Sequence, residues 1–324
     1  MNRMELRQLR YFIRIVDLGS LSRASADLYI AQPALSQQLA SLESELGVRL
    51  LARSSRGIAP TQAGVSFYKH AQTVLRQIDR LRSEVSSTAT GPSGTVSIGM
   101  PPSIANVLAV PLTRAAQERY PQVQLRIREA LTGQLEELVA NGRIEMSLLF
   151  DRGPGLGESN AARKGPIAHL NVEPLLTEEL VLLTAGLQPW GDDIDLSDAA
   201  SHKFILFPGP TNVTRQMIQE VWDQAGYTLN IFAELDSTTT IKAMVANGLG
   251  STILSPSALS TTQREGLTAR RISGVDLTRR VCLCTNSVFT VGDAAERIFS
   301  LVVEIAQNLA GNGMWRGACA AKAE

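Results

Sequence analysis

Two apolar rhythms meet at residues 86–94, and no single structural layer accommodates both. Through residue 85, apolar side chains recur every three or four positions, as on one face of an α-helix. Beyond residue 94, short apolar runs at 95–100, 123–129, 145–150, 179–184, 203–207, 231–235 and 251–254 alternate with helical stretches. Ser147-Leu148-Leu149-Phe150 and Phe204-Ile205-Leu206-Phe207 have almost no polar gap. Such runs suit strands buried on both faces of a largely parallel α/β sheet. Between the two regimes, Gly91, Pro92 and Gly94 punctuate SSTATGPSG, which suits neither element and reads as a linker. A Gly/Ser-rich stretch at 151–165 suggests a crossover between two lobes, and the small, mixed residues 311–324 read as a loose tail.

A chain of 324 residues is long enough for two or three domains. Hydrophobic residues are 44% of it and charged residues 19%, a globular composition rather than a disordered one. No apolar run approaches the roughly 18 residues of a membrane span, so no membrane partner is expected. The first twenty residues carry charges every three or four positions and lack the apolar centre of a signal peptide. Cys282, Cys284 and Cys319 make no disulfide framework. These features point to the cytoplasm. The net charge of zero hides an asymmetry: residues 1–90 hold 12 Lys/Arg against 7 Asp/Glu, and the remainder is acidic. A basic N-terminal module suits contact with a polyanion.

That module resolves into short helices. Leu6, Leu9, Phe12, Ile13 and Val16 share one helical face, ended by Gly19, and Ser20 and Ser22 are good caps for a second helix to about Leu28. Pro33 suits the first turn of a third helix, which runs to Gly47 with Leu35, Leu39, Leu42 and Leu46 as its buried stripe. The opposite face shows Gln32, Ser36, Gln37, Ser41 and Ser44, with no acid before Glu43. A positive helix N-terminus flanked by Gln and Ser suits phosphate and base-edge contact, as in a helix-turn-helix. A plain three-helix bundle is the bland alternative. Val48–Pro60 then reads as a β-ribbon wing with Arg53 and Arg56 at its tip. From about Thr61 to Ser87, Phe67, Ala71, Val74, Ile78, Leu81 and Val85 follow at intervals of four and three, a heptad seam fit for dimerisation. The same seam would also serve a helix lying on its own domain.

The segment from Met4 to about Gly64, with AQPALSQQLASLE at its centre, resembles the LysR-type transcriptional regulators, and most of all their nitrogen assimilation control and cyanate branch. The resemblance implies a winged helix-turn-helix at 1–60, a linker helix and hinge at 61–92, and a two-lobed α/β effector domain at 93–310, like a type 2 periplasmic binding protein. Lobe I would take 93–165 and 270–305, and lobe II 166–269. By the same resemblance Gln32, Pro33, Ser36 and Gln37 would meet bases or nearby phosphates. Ser22 would touch the DNA backbone, and Arg53 and Arg56 would belong to the wing. Many members carry Arg where Gln37 stands. A small anionic effector would sit in the interlobe cleft, near Pro101, Ser103, Thr132, Phe207 and Pro208. Helix capping is the plainer role for Ser103 and Thr132. Promoter DNA, a dimer or tetramer and RNA polymerase are the implied partners, with no cofactor. The branch also includes members that work without an effector.

Other constellations are bland. His70, His169 and His202 are scattered without ligand-spaced partners, so no metal site is expected. Cys282 and Cys284 fall on one face of a β-like run, as two small apolar residues or, less plainly, a redox pair. Gly248-Leu249-Gly250 lacks the spacing and lysine of a phosphate loop and reads as a helix-ending turn. No nucleophile, base and acid are grouped as in an enzyme. A DNA-binding regulator is therefore weighed against a solute-binding protein or α/β enzyme of similar lobed fold.

Overall fold

A computed structural model describes residues 4–54, 57–151, 169–186, 191–209, 212–259, 266–288 and 291–321. Backbone contacts divide the chain into two compact units, Met1–Ala89 and Thr90–Glu324.

The first unit opens with α1 (Leu6–Leu18), α2 (Leu21–Asp27) and α3 (Gln32–Leu46). Glycine ends α1 and α3, because Gly19 and Gly47 take left-handed φ of 61° and 67°. Ser20 caps α2 by accepting the Arg23 N–H. Phe12, Ile15, Leu21, Leu35, Leu42 and Leu50 form the centre of a small core. The apolar stripes are narrower than their spacing predicts: Leu6 and Leu46 are exposed, since each lies at a helix end beyond the reach of that core. The hairpin β1 (Leu51–Ser54) and β2 (Gly57–Pro60) follows, antiparallel, and Ile58 N–H donates to the Gly19 carbonyl at 3.0 Å. Thr61 then caps α4 (Gln62–Thr90) by accepting the Gly64 N–H at 3.0 Å.

In the second unit a six-stranded sheet has β3 (Gly94–Met100), β4 (Val123–Glu129), β5 (Met146–Asp151), β6 (Leu170–Glu179), β14 (Thr278–Asn286) and β15 (Ala318–Ala320). Its order is β15-β6-β14-β5-β3-β4. Only β5-β3-β4 is parallel; the pairings through β14, β6 and β15 are antiparallel. The expectation of a largely parallel sheet therefore fails on one half, because β14 returns from the second lobe against the direction of β5. Helices α5 (Pro102–Arg119), α6 (Thr132–Ala140) and α10 (Asp293–Gly311) flank this sheet.

The second lobe is built from β7 (Val181–Ala185), β8 (Ile194–Asp195), α7 (Leu196–Ala200), β9 (Phe204–Leu206), α8 (Val213–Gln224), β10 (Ile231–Glu234), α9 (Thr238–Ala246), β11 (Thr252–Leu254), β12 (Leu267–Arg270) and β13 (Ile272–Ser273). Strands β11-β7-β12 form an antiparallel sheet, while β10-β9 and β13-β8 are parallel pairs. Leu180 N–H donates to the Leu277 carbonyl at 2.8 Å, where the two chain crossings between lobes run side by side.

Two expected boundaries are corrected. Leu170–Glu179 belongs to the first lobe's sheet rather than to lobe II, because it pairs with β14 from Asn286 to Thr278. Residues 270–273 belong to the second lobe rather than to lobe I. The tail is not loose through residue 320 either. Trp315 is fully buried and β15 adds an edge strand to β6, so ladder hydrogen bonds and an aromatic anchor hold what its small residues alone would not.

Candidate nucleic-acid interface and interlobe cleft

In the first unit, Gln32, Pro33 and Gln37 are exposed and Ser36 is half-buried at the start of α3. Ser22 Oγ donates to Gln32 Oε1 at 3.0 Å, so α2 orients the first side chain of α3. No side chain caps α3, and its first turn carries no acid, which leaves its positive end open to an anion. Glu43, the first acid, faces inward to the hairpin: its Oε1 accepts the N–H groups of Leu50 at 2.7 Å and Leu51 at 3.1 Å. The hairpin thus hangs from both α1 and α3. Arg53 lies on β1, paired with Ile58. The Arg53 side chain and all of Arg56 lie outside the described residues.

Tyr29, in the turn between α2 and α3, was missed from sequence. It is 96% exposed and takes φ 54°, a conformation costly for a bulky residue. The signal was its position between the helices, but aromatic residues ordinarily read as core.

The seam of α4 divides. Phe67 packs edge-on against Phe12 at 5.0 Å and Ala71 is buried, so both serve their own unit's core. Farther along, Val74 is 44% and Leu81 61% exposed, with Ile78 half-buried. The Val85 side chain lies outside the described residues.

In the second unit a narrow cleft, with a cavity volume of about 30 Å³, lies between the lobes. Pro101, Ser103, Thr132 and Phe207 all line it, as expected. Pro208 does not. It follows Phe207 beyond the end of β9 and is exposed while Phe207 turns in. The N-terminal turns of α5, α6, α8 and α9 all reach the lining, through Ser103, Thr132, Thr214 and Thr238. Asn212 and Ser237 cap α8 and α9, accepting from Arg215 and Thr240 N–H. Neither Ser103 nor Thr132 caps its helix, which sets aside the capping role considered for them. Thr132 Oγ1 instead accepts the Phe150 N–H at 3.3 Å.

The residues at the floor of the cleft were not singled out in the sequence. Arg279 lines it and is 4% exposed; Glu178 behind it is fully buried. Arg279 donates to Glu178 Oε2 from Nε at 3.0 Å and from Nη2 at 2.7 Å. Glu178 Oε1 also accepts from Ser257 Oγ and from Trp315 Nε1 at 3.0 Å. Burial pushes the Glu178 carboxyl up, yet the Arg279 charge and hydrogen bonds from Ser255, Ser257 and Trp315 together hold it below the usual carboxylate range. Arg279 reaches both lobes, donating to Thr214 Oγ1 at 2.5 Å and to Ser103 Oγ at 3.5 Å, and lies 3.4 Å over the Phe150 ring.

Elsewhere the residues considered for other chemistry have ordinary settings. Cys282 and Cys284 are buried together in the apolar cluster under α6. His202 Nδ1 pairs with Ser251 Oγ at 2.7 Å. Gly248, at φ 74°, ends α9 just before β11. Among the described residues, no helix is long and apolar enough to cross a membrane, and no group of three or more His, Cys, Asp or Glu is placed to hold a metal.

Comparison with known proteins places both units. Residues 6–65 match the model of the bacterial regulatory helix-turn-helix protein, lysR family, and residues 89–306 match the LysR substrate binding domain. The nitrogen assimilation regulatory protein nac of Klebsiella aerogenes is 36% identical over 256 residues, 79% of each chain. The transcriptional dual regulator GltC of Bacillus subtilis (strain 168) is 32% identical over 265 residues, 80% of this chain and 83% of that one. Two solved structures share the fold. Full-length CbnR complexed with its target DNA aligns at TM-score 0.68 and 23% identity, over 93% of this chain and 98% of that one. HinK, a LysR family transcriptional regulator from Pseudomonas aeruginosa, aligns at TM-score 0.56 and 24% identity, over 95% of this chain and all of the other.

Proposed function

This chain belongs to the LysR family of transcriptional regulators, and on that premise we propose that a small anionic molecule in the interlobe cleft modulates its hold on promoter DNA. The protein works as a dimer or tetramer in the cytoplasm. The N-terminal end of α3 reads base edges, with Gln32, Ser36 and Gln37 as the reading side chains and Pro33 presetting the turn. Ser22 and the wing arginines, Arg53 and Arg56, bind phosphate. Pairing through the exposed part of α4 sets two recognition helices against an inverted repeat. Ligand binding shifts the balance between two quaternary states, which requires different affinity for each, and contact with RNA polymerase changes as a result.

The observation that carries the effector reading is the convergence of four helix N-termini on one cleft that also contains a guanidinium. Helix N-termini and Arg both favour an anion. A second reading, a regulator that needs no effector, draws support from Arg279 itself. Its own hydrogen bonds bridge Ser103 on one lobe and Thr214 on the other.

The thermal midpoint of the purified full-length protein across a panel of small carboxylates, amino acids and inorganic anions separates the two. A ligand of the folded state adds roughly 2.7 kcal/mol at a hundred times its dissociation constant. A rise that disappears in Ser103→Ala or Thr132→Ala supports the effector reading. No rise across the panel supports the effector-independent one.

A further inference from the structure

The aromatic residues of the first unit are Tyr11, Phe12, Tyr29, Phe67 and Tyr68. Four of them pack in or against its core, and Tyr29 stands 96% exposed. The backbone at Tyr29 has a local cause. Its N–H donates to the Ala26 carbonyl at 3.3 Å, and the Ile30 N–H donates to the Ser25 carbonyl at 3.0 Å. These are the paired bonds of a Schellman motif, here ending α2. The motif puts Tyr29 at φ 54°, where glycine or asparagine is the ordinary occupant. A tyrosine there carries the steric cost of a left-handed β-carbon and returns no packing. Ile30, the next residue, does pack on the core, so the turn is anchored without the phenol ring. Nothing inside the folded unit accounts for a tyrosine at this position, which points to a partner outside it.

The surroundings favour a phosphate. Tyr29 precedes Gln32 by three residues, so their α-carbons are at most about 11 Å apart. Both are exposed, and Gln32 opens the uncapped N-terminal turn of α3. Asp27, two residues before Tyr29, has its carboxylate oxygens taken by Arg14 at 2.6 and 2.5 Å, so its charge is balanced rather than turned toward DNA. A phenol is a neutral O–H donor at the end of a rigid arm, and tyrosine is among the side chains that bond phosphate oxygens.

We propose that Tyr29 is a DNA contact, its hydroxyl donating to a phosphate oxygen at the edge of the groove that α3 enters. This rests on α3 and the hairpin being the face that meets DNA.

Binding of the full-length protein to two labelled DNA duplexes of unrelated sequence, over a series of salt concentrations, tests it in wild type, Tyr29→Phe, Tyr29→Gly and Arg53→Ala. Both Tyr29 variants should bind both duplexes about tenfold more weakly, the loss of one hydrogen bond to a charged group. The slope of log K against log salt should not change in them, because a phenol releases no counterion, whereas Arg53→Ala should reduce it. Thermal unfolding followed by circular dichroism checks for a structural role. The helical signal of Tyr29→Gly should not begin to fall at a lower temperature than that of wild type, since glycine suits this φ. Earlier unfolding of Tyr29→Gly would give the ring a role within its own unit and overturn the assignment. Weakening in Tyr29→Gly but not in Tyr29→Phe, or on one duplex only, overturns the phosphate contact. Unchanged affinity in both Tyr29 variants, with Arg53→Ala weakened, overturns the assignment and leaves the DNA face in place. No weakening in any of the three overturns that face as well.

Discussion

A β-carbon placed on Gly64 would stand 1.9 Å from the carbonyl oxygen of Leu50. That oxygen is in use, since it accepts the Thr61 N–H at 2.9 Å as α4 begins. The first turn of α4 and the strand leading into the hairpin are therefore packed backbone to backbone, and neither can retreat without losing a contact. Gly64→Ala should destabilise the first unit by about 3 kcal/mol, the upper part of the range for overpacking. All three tryptophans, Trp190, Trp222 and Trp315, lie in the second unit. The expected result is loss of specific DNA binding and helical signal at a lower temperature, with the tryptophan fluorescence transition unmoved.

The two ends of the α4 seam should respond differently to substitution. Phe67→Ala removes a ring packed on Phe12 and should cost about 3 kcal/mol of first-unit stability, as large-to-small core changes do. Leu81→Asp alters an exposed position and should leave that stability within about 0.5 kcal/mol. If this part of α4 pairs with a second copy, sedimentation of Leu81→Asp will show a smaller species than wild type at the same concentration. An unchanged species would remove Leu81 from the interface.

The start of α3 predicts a separation of affinity from specificity. Gln32→Ala should reduce discrimination at one base pair by about 1–3 kcal/mol, read from binding to a library of singly substituted operators. Arg53→Ala should weaken binding to every sequence and reduce the dependence of log K on log salt by about one. Ser22→Ala frees the Gln32 amide that it orients, so it should soften discrimination at the same base pair as Gln32→Ala.

Much of this first unit was legible because its punctuation is local. Gly19, Pro33, Gly47 and Thr61 set element ends through their own backbone chemistry, and each does so where the sequence places it. The heptad was legible only as a face. Spacing fixes that Phe67, Ala71, Val74 and Leu81 line up, but whether a face is covered depends on what folds over it, and the core reaches only the first two. In the second unit, Glu173 and Pro174 interrupt Leu170–Glu179, which hides a strand whose existence depends on β14 beside it. The same holds for β15, whose small residues acquire a role only from the edge of β6. The Glu178–Arg279 pair was invisible for a simpler reason. Its members are 101 residues apart, within runs of like charge that ordinarily face water.

That pair also contributes to the pH dependence of the second unit. Burial raises the Glu178 carboxyl, but Arg279 and the donors from Ser255, Ser257 and Trp315 outweigh it, so the folded value lies below the unfolded one. A depressed carboxyl contributes stability that is fully present above its unfolded value and is lost as pH falls through the folded one. Urea unfolding followed by tryptophan fluorescence should therefore show a decline in stability from this pair below about pH 5, added to an earlier decline from His202, whose imidazole is held below its ordinary range by burial. Glu178→Gln should reduce stability at neutral pH by about 3–5 kcal/mol, because it leaves Arg279 buried without its counter-charge. It should also flatten the acid decline. Adding Arg279→Met to Glu178→Gln should cost less than the sum of the two single changes, since the second substitution removes a charge that the first has left unpaired. A sum that is simply additive, or an acid decline of the same steepness in Glu178→Gln, would mean that the pair is not what holds the second unit together in acid.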